Sequence, residues 1–292
     1  MAAMTPTLLT RLREAGVDDV VGLEPTAGGQ AATAFLARRR GGDAVFVKSL
    51  PGDEQPGAFE AEAEGLRALA ELGGATTPRV LHAADDVLVL EALHPRPQEE
   101  AFWVRLAEVM ARVHSTTHER FGWHADGWLG RRRQVNTWTE DGPEFFAEHR
   151  LLRWATEAPV REVLGSDGVA ALEHLCARLP ELLPERPACL THGDFWVENI
   201  LATAHGEPAL IDPAVSYTWA EVDLAHVWTT APPPEARAFF DTYAALTGLD
   251  AGWRERMPII QLRQHLAVLA MYGDQWGTGD IARATLAPFR RR

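Results

Sequence analysis

The sequence predicts an α+β chain of two unequal lobes. Extended, β-rich segments concentrate before residue 93, and helical periodicity dominates after it. No internal repeat or low-complexity linker interrupts the pattern, and 292 residues leave ample core for each lobe. The division places a small N-terminal antiparallel-sheet lobe with one helix at 1–92 and a larger, mostly helical lobe at 93–292.

Residues 8–16 read as a short helix ending near Gly16. The stretch AFLARRRGGDAVFVK, 34–48, reads as a hairpin: an extended run, a Gly41-Gly42 turn, and a β-rich return strand closed by Lys48. PGDEQPG is a loop. AFEAEAEGLRALAEL, Ala58 to Leu72, is an amphipathic helix stopped by Gly73-Gly74. PRVLHAADDVLVLEAL supplies two short extended segments. Beyond Leu93, EEAFWVRLAEVMARVHSTTH has a helical period, and a loop-rich stretch bearing tryptophans runs to about Pro143. Helices are expected at 143–157, 167–183, 234–246 and 256–272, with two brief strands inside LTHGDFWVENILATAHGEPALIDPAVSY, 190–217.

A hydrophobic fraction of 46% and a charged fraction of 24% are ordinary for a globular protein. No apolar run approaches the ~18 residues needed to cross a bilayer, and the N-terminus lacks the pattern of a secretory signal, so no membrane partner is expected. Cys176 and Cys189 are the only cysteines and form no metal-ligand spacing. They read as buried, reduced thiols, with the cytoplasm as the default compartment. A net charge of −13 repels polyanions and argues against nucleic acid. The arginine triplets at 38–40, 131–133 and 290–292 read as solvated surface; only 131–133 sits where contact with a ligand is an alternative.

Lys48 is either an edge charge or a phosphate ligand. The helix that follows favours the second. At ~100° per residue, Phe59, Ala63, Leu66, Leu69 and Ala70 share one face, Glu62 falls beside it, and Glu60 and Glu64 point away. A carboxylate at the edge of an apolar stripe calls for a cation, and Lys48 on the neighbouring strand supplies one. A strand lysine held by a helix glutamate presents an ammonium to nucleotide phosphates. Gly28 and Gly29, in TAGGQAATAF, either let the backbone approach phosphates or make an ordinary turn, since the GxGxxG spacing is absent.

In HGDFWVEN, Asp194 and Asn199 stand five positions apart, the spacing of the HRDxxxxN catalytic loop. An aspartate there accepts the proton of an attacking hydroxyl. An asparagine offers an uncharged oxygen to Mg²⁺, a hard cation. If the chain reverses around His205-Gly206, Asn199 lies opposite Asp212, and directly opposed residues share a face. Asp212, in IDP, then takes the place of the DFG aspartate as a second metal ligand. His192 reads as a support for the loop, and Asp223 as a supporting or helix-capping carboxylate.

Together with FVK, FEAEAEGLRAL, LVLEAL, FGW, NTWTEDGPEFFAEHRLL, EVDLA and GWRERMPIIQL, these motifs resemble the fructosamine (ketosamine) kinases. That family lies within the aminoglycoside phosphotransferase and choline kinase group of protein-kinase-like folds. The likeness spans about residues 25–275. The resemblance implies a bilobal fold, ATP as donor, and a hinge at Glu91–Leu93 whose backbone meets the adenine. It implies Asp194 as base, Asn199 and Asp212 on Mg²⁺, Lys48 with Glu62 at the phosphates, and Trp196 facing the acceptor. The acceptor implied is a small glycated amine phosphorylated on a sugar hydroxyl. Val197-Glu198, TWAE after IDPAVSY, and Gln30-Ala31-Ala32 depart from the usual family residues, mostly on the acceptor side. An aminoglycoside or other aminosugar as acceptor, and a catalytically dead nucleotide-binding module, are the alternatives.

Overall fold

The computed structural model describes residues 4–26, 32–50 and 54–290. Its first elements are α1 (Met4–Glu14), β1 (Val20–Thr26), β2 (Thr33–Arg39), β3 (Val45–Ser49), α2 (Ala58–Glu71), β4 (Val80–Ala84) and β5 (Val87–Glu91). The five strands form one antiparallel sheet in the order β1-β2-β3-β5-β4. The sheet carries α1 as well as the helix expected beside Lys48. β1 was not anticipated, because Gly22 and Pro25 disguise its extended character. It lies at the sheet edge, where proline is tolerated.

Strand alternation divides the small lobe into two cores. Val45, Val47, Val87 and Val89 bury against Leu8 and Leu12 of α1. Leu88 and Leu90 bury with Phe59, Ala63 and Leu66 of α2. Lys48 follows Val47, so it takes the α2 face, directly opposite Leu88.

The larger lobe comprises α3 (Glu100–Ser115), β6 (Thr117–His118), β7 (Gly127–Leu129), β8 (Arg132–Gln134), α4 (Gly142–Phe146), α5 (Ala158–Leu182), β9 (Ala188–Thr191), β10 (Ile200–Ala202), β11 (Pro208–Leu210), β12 (Ser216–Thr218), α6 (Glu221–Thr229), α7 (Arg237–Thr247), α8 (Trp253–Tyr272) and α9 (Thr278–Leu286). One continuous core includes Phe102, Trp103, Phe146, Trp154, Trp253 and Leu266. Cys176 and Cys189 are free and buried. Among the described residues no helix is long and apolar enough to cross a membrane.

The single helix expected at 143–157 is broken. After α4 the chain widens into a π-turn over Ala147–Leu151 and tightens into a 3₁₀ turn over Leu152–Thr156. Arg150, in the widened turn, is buried and donates to Val135 O at 2.6 Å and Asn136 Oδ1 at 2.7 Å. α5 starts earlier than expected and is interrupted at Gly165, with φ 66°. α6 gave no periodic signal because Glu221 through Val227 are all buried, so it has no polar stripe to reveal it.

The hairpin that carries the site residues also corrects the expected register. Ile200 pairs with Leu210, Leu201 with Ala209 and Ala202 with Pro208, so Asn199 faces Ile211 and not Asp212. The turn holds three residues between Thr203 and Glu207, with Gly206 in the left-handed region at φ 77°. Beyond the Ile211 N–H to Asn199 O bond at 3.1 Å, Asp212 itself is left-handed, φ 53°. That reversal ends the strand alternation and sends the carboxylate toward the small lobe. The chain leaving the small lobe is fastened to the same hairpin: His94 N donates to Ala202 O at 2.8 Å and Ala202 N to His94 O at 2.9 Å.

Candidate active site

Lys48 is buried on the α2 face of the sheet, and its Nζ donates to Glu62 Oε1 at 2.8 Å and to the carboxylate of Asp212. One ammonium therefore sits between two carboxylates from different parts of the fold. Burial disfavours its charge, but Asp212 and Glu62 outweigh that and hold it protonated. Burial pushes the Glu62 carboxyl up to about 7, with Lys48 opposing.

Asp194 follows β9 on a tight loop. Gly193 stands at φ 80°, and a Cβ there would lie 2.0 Å from Ala214 O, so only glycine fits. Asp223, fully buried on α6, accepts His192 N–H at 2.8 Å and Gly193 N–H at 2.9 Å, and its Oδ2 lies 3.1 Å from His114 Nε2. Burial raises that carboxyl, but the bonds from His114 and the loop amides prevail and hold it below the usual range. His192 Nδ1 accepts from Asp194 N–H at 3.3 Å, so its Nε2 carries the proton and donates to Ile211 O at 2.8 Å. His192 is thus built into the loop. Arg263 of α8, also buried, donates to Gly193 O.

Around the Asp194 carboxylate, Asn199 Nδ2 lies 3.3 Å from Oδ2, while Gln264 Nε2 and His226 Nδ1 lie 3.4 and 3.5 Å from Oδ1. Asn199 Nδ2 also donates to Asp194 O at 2.8 Å, which leaves its carbonyl oxygen for another ligand. Burial raises the Asp194 carboxyl to about 7, with Arg263 opposing and Asp212 adding to the rise. Burial, reinforced by Arg263, pushes His226 well below its ordinary value and keeps it neutral.

These groups share one cavity of about 810 Å³, lined by Lys48, Glu62, Asp194, Trp196, Asn199 and Asp212 together with one face of α8. The volume suits a ligand site of several hundred Å³. Among the described residues three non-glycines adopt positive φ: Asp212, Ala231 and Trp276. All three line this cavity, the clustering of backbone strain expected of a working site. Trp196 faces the cavity with its ring near-parallel to that of His226, centroids 6.4 Å apart.

Glu91 and Leu93 lie at the exit of β5 and do not line this cavity. Gly28 and Gly29 fall outside the described residues. Of the tryptophans considered for the acceptor side, Trp123 and Trp128 line the cavity, while Trp138 stacks on His118, centroids 4.5 Å apart. Glu64, expected to point away from the apolar face, is half-buried, lines the same cavity as Glu62 and accepts from Trp123 Nε1 at 2.7 Å across the lobes. The 131–133 triplet fastens the β7–β8 hairpin: Arg132 bonds Ala270 O, and Arg133 lies over Trp128.

Sequence reading missed His114, His226, Gln261, Arg263 and Gln264. A signal did exist for part of the set, because Gln261, Gln264, His265, Val268, Met271 and Tyr272 fall on one helical face.

Comparison with known proteins agrees with this arrangement. The fructosamine kinase family profile matches residues 6–286. A "Probable ketoamine kinase" of Enterococcus faecium is 31% identical over 241 residues, covering 80% of this chain and 84% of that protein. The crystal structure of a "putative fructosamine-3-kinase" from Thermobifida fusca superposes with a TM-score of 0.84 at 30% identity, covering 96% of this chain and 98% of the other. Choline kinase LicA of Streptococcus pneumoniae shares the fold, with a TM-score of 0.64 at 16% identity over 98% of this chain and 99% of its own. The bilobal architecture is that of the protein-kinase-like phosphotransferases, and with a family profile spanning almost its whole length the chain belongs to the fructosamine kinase family.

Proposed function

We propose that the protein transfers the γ-phosphoryl group of ATP to a sugar hydroxyl of a ketoamine. The carrying observation is the Lys48 ammonium held between Glu62 and Asp212 in the cavity that also contains Asp194 and Asn199. Family membership supports the reaction class, and its relatives' names support the ketoamine acceptor. In this reading the small lobe, 1–92, covers the nucleotide and the large lobe, 93–292, holds the acceptor.

Lys48, steadied by Glu62, meets the phosphates, while Gly28 and Gly29 and the Glu91–Leu93 hinge serve the nucleotide. Asp194 receives the hydroxyl proton as the oxygen attacks. A carboxyl raised to about 7 is near the ideal for a base at neutral pH. The loop amides' hydrogen bonds to Asp223 and the one from Arg263 to Gly193 O fix the loop before chemistry begins, so positioning supplies much of the rate. Asp212 and the free carbonyl oxygen of Asn199 are hard oxygen donors that fit Mg²⁺, which would neutralise charge on the transferring phosphoryl group.

The test is a panel of acceptors assayed by mass spectrometry. Fructosyl-amines are expected to gain one phosphoryl group with ATP, and aminoglycosides none. EDTA is expected to abolish transfer and excess Mg²⁺ to restore it. Transfer to aminoglycosides alone would move the protein to the antibiotic-type alternative. Transfer to no acceptor would leave a nucleotide-binding module.

A further inference from the structure

The face of α8 that lines the cavity changes character along its length. Gln261, Gln264 and His265 occupy its first part, and Val268 and Met271 its second. At 1.5 Å per residue this stripe is ~15 Å long. Its polar part lies beside the base, since Gln264 is 3.4 Å from Asp194. Its apolar part leads to Trp276 and Ile281, the first 64% and the second 43% exposed at the cavity rim. Large apolar side chains left in water beside a cavity mark a contact surface.

The polar part is also incomplete. His226 Nδ1, Gln261 Oε1 and Gln264 Oε1 are buried and lack a hydrogen-bond partner within the protein. His226 and Gln261 are only 3% and 2% exposed. Among the described residues nine side-chain atoms are so placed, and four of them, Trp128 Nε1 with these three, belong to residues lining this one cavity. A polyol supplies the donors and acceptors they lack.

We propose that Gln261, Gln264 and His226 bind the ketose hydroxyls beside Asp194, and that the amine's substituent lies along Val268 and Met271 to Trp276. The site thereby selects ketosamines whose nitrogen bears an uncharged alkyl or aryl arm. This rests on the ketoamine reading and names the acceptor within it. A carboxylate placed next to the nitrogen, as in fructosyl-glycine, would have to desolvate against Val268 and Met271.

The experiment measures kcat/KM for fructosyl-hexylamine and fructosyl-glycine, with wild type and with Trp276→Ala and Gln264→Leu. Trp276 is exposed, so its replacement leaves folding intact, which a thermal melt checks. Wild type is expected to prefer the hexyl adduct by at least about tenfold. Trp276→Ala should bring the two within about threefold, and Gln264→Leu should raise both acceptor KM values about tenfold with the ATP KM unmoved. Equal kcat/KM for the two adducts, or a preference unchanged in Trp276→Ala, overturns the proposal while leaving the ketoamine reading in place. Failure of every ketosamine to be phosphorylated overturns both. A lysine of a glycated protein offers the same arm as a free alkyl adduct, so a glycated protein is assayed alongside. Comparable turnover there assigns lysine as the natural arm, and exclusion assigns a free small molecule.

Discussion

The two sides of the cavity are built on opposite terms. On the side proposed to take the nucleotide, Lys48, Glu62 and Asp212 are drawn together by direct ionic contacts. On the side proposed for the acceptor, contacts to Asp194 are long, 3.4 Å from Gln264 and 3.5 Å from His226, and several buried polar atoms have no protein partner. The first side pairs its charges within the chain. The second leaves valences for a substrate. Phosphate handling is common to every acceptor, so it can be fixed in advance, whereas acceptor recognition has to be finished by the molecule that binds.

Asp194 stands between the two sides, and its removal gives the largest effect. Asp194→Ala should lower kcat by 10²–10⁴-fold, the usual worth of a positioned base. Calorimetry should find nucleotide binding retained, because the ionic cluster at Lys48 is untouched. Turnover within a few-fold of wild type would remove Asp194 from the mechanism.

The next test concerns the support shared by both sides. Asp223→Ala leaves the His192 and Gly193 amides and His114 without their acceptor, and should cost about 3–5 kcal/mol, read as a lower Tm. The milder Asp223→Asn supplies a pH test. The Asp223 carboxyl is held below its ordinary value, so its stabilisation is present above the unfolded value of ~3.9 and lost as pH falls through the folded value. The Tm gap between wild type and Asp223→Asn should therefore narrow below about pH 4. A constant gap would mean that the side chain's shape, not its charge, matters.

Smaller again is the contrast within the large lobe's own tryptophans. Trp138→Ala should reduce stability by about 1–3 kcal/mol through lost packing on His118 and Tyr217. The KM values for both substrates should stay unchanged, since Trp138 does not line the cavity. A selective rise in acceptor KM would extend the recognition surface to that residue.

The sequence revealed the nucleotide side much better than the acceptor side. Lys48 and Glu62 are placed by periodicities of two and 3.6 that a single chain displays openly. Asp194 and Asn199 sit close enough in sequence for their spacing to carry meaning. Asp212 was assigned to the right cavity from a wrong register. Its position depends on a left-handed φ of 53°, which no pattern of side chains announces. The residues that brace or complete the acceptor side are remote from Asp194. Arg263 reaches Gly193 across 70 positions, so only the packed fold reveals it, and Asp223, legible as a supporting carboxylate, shows what it supports only once the chain closes across 30.

The paired bonds between His94 and Ala202 tie the exit of the small-lobe sheet to the hairpin that follows Asn199. Glu91 N still donates to Arg79 O at 2.9 Å, and three residues later the backbone is already bonded to that hairpin. Only Ala92 and Leu93 separate the two, and a second tie, Leu210 N–H to Thr76 O at 2.9 Å, joins the other strand of that hairpin to the chain just after α2. The hairpin that follows Asn199 is thus bonded on both of its strands to chain coming from the small lobe, so a shift of that chain reaches the backbone beside Asn199 and Asp212.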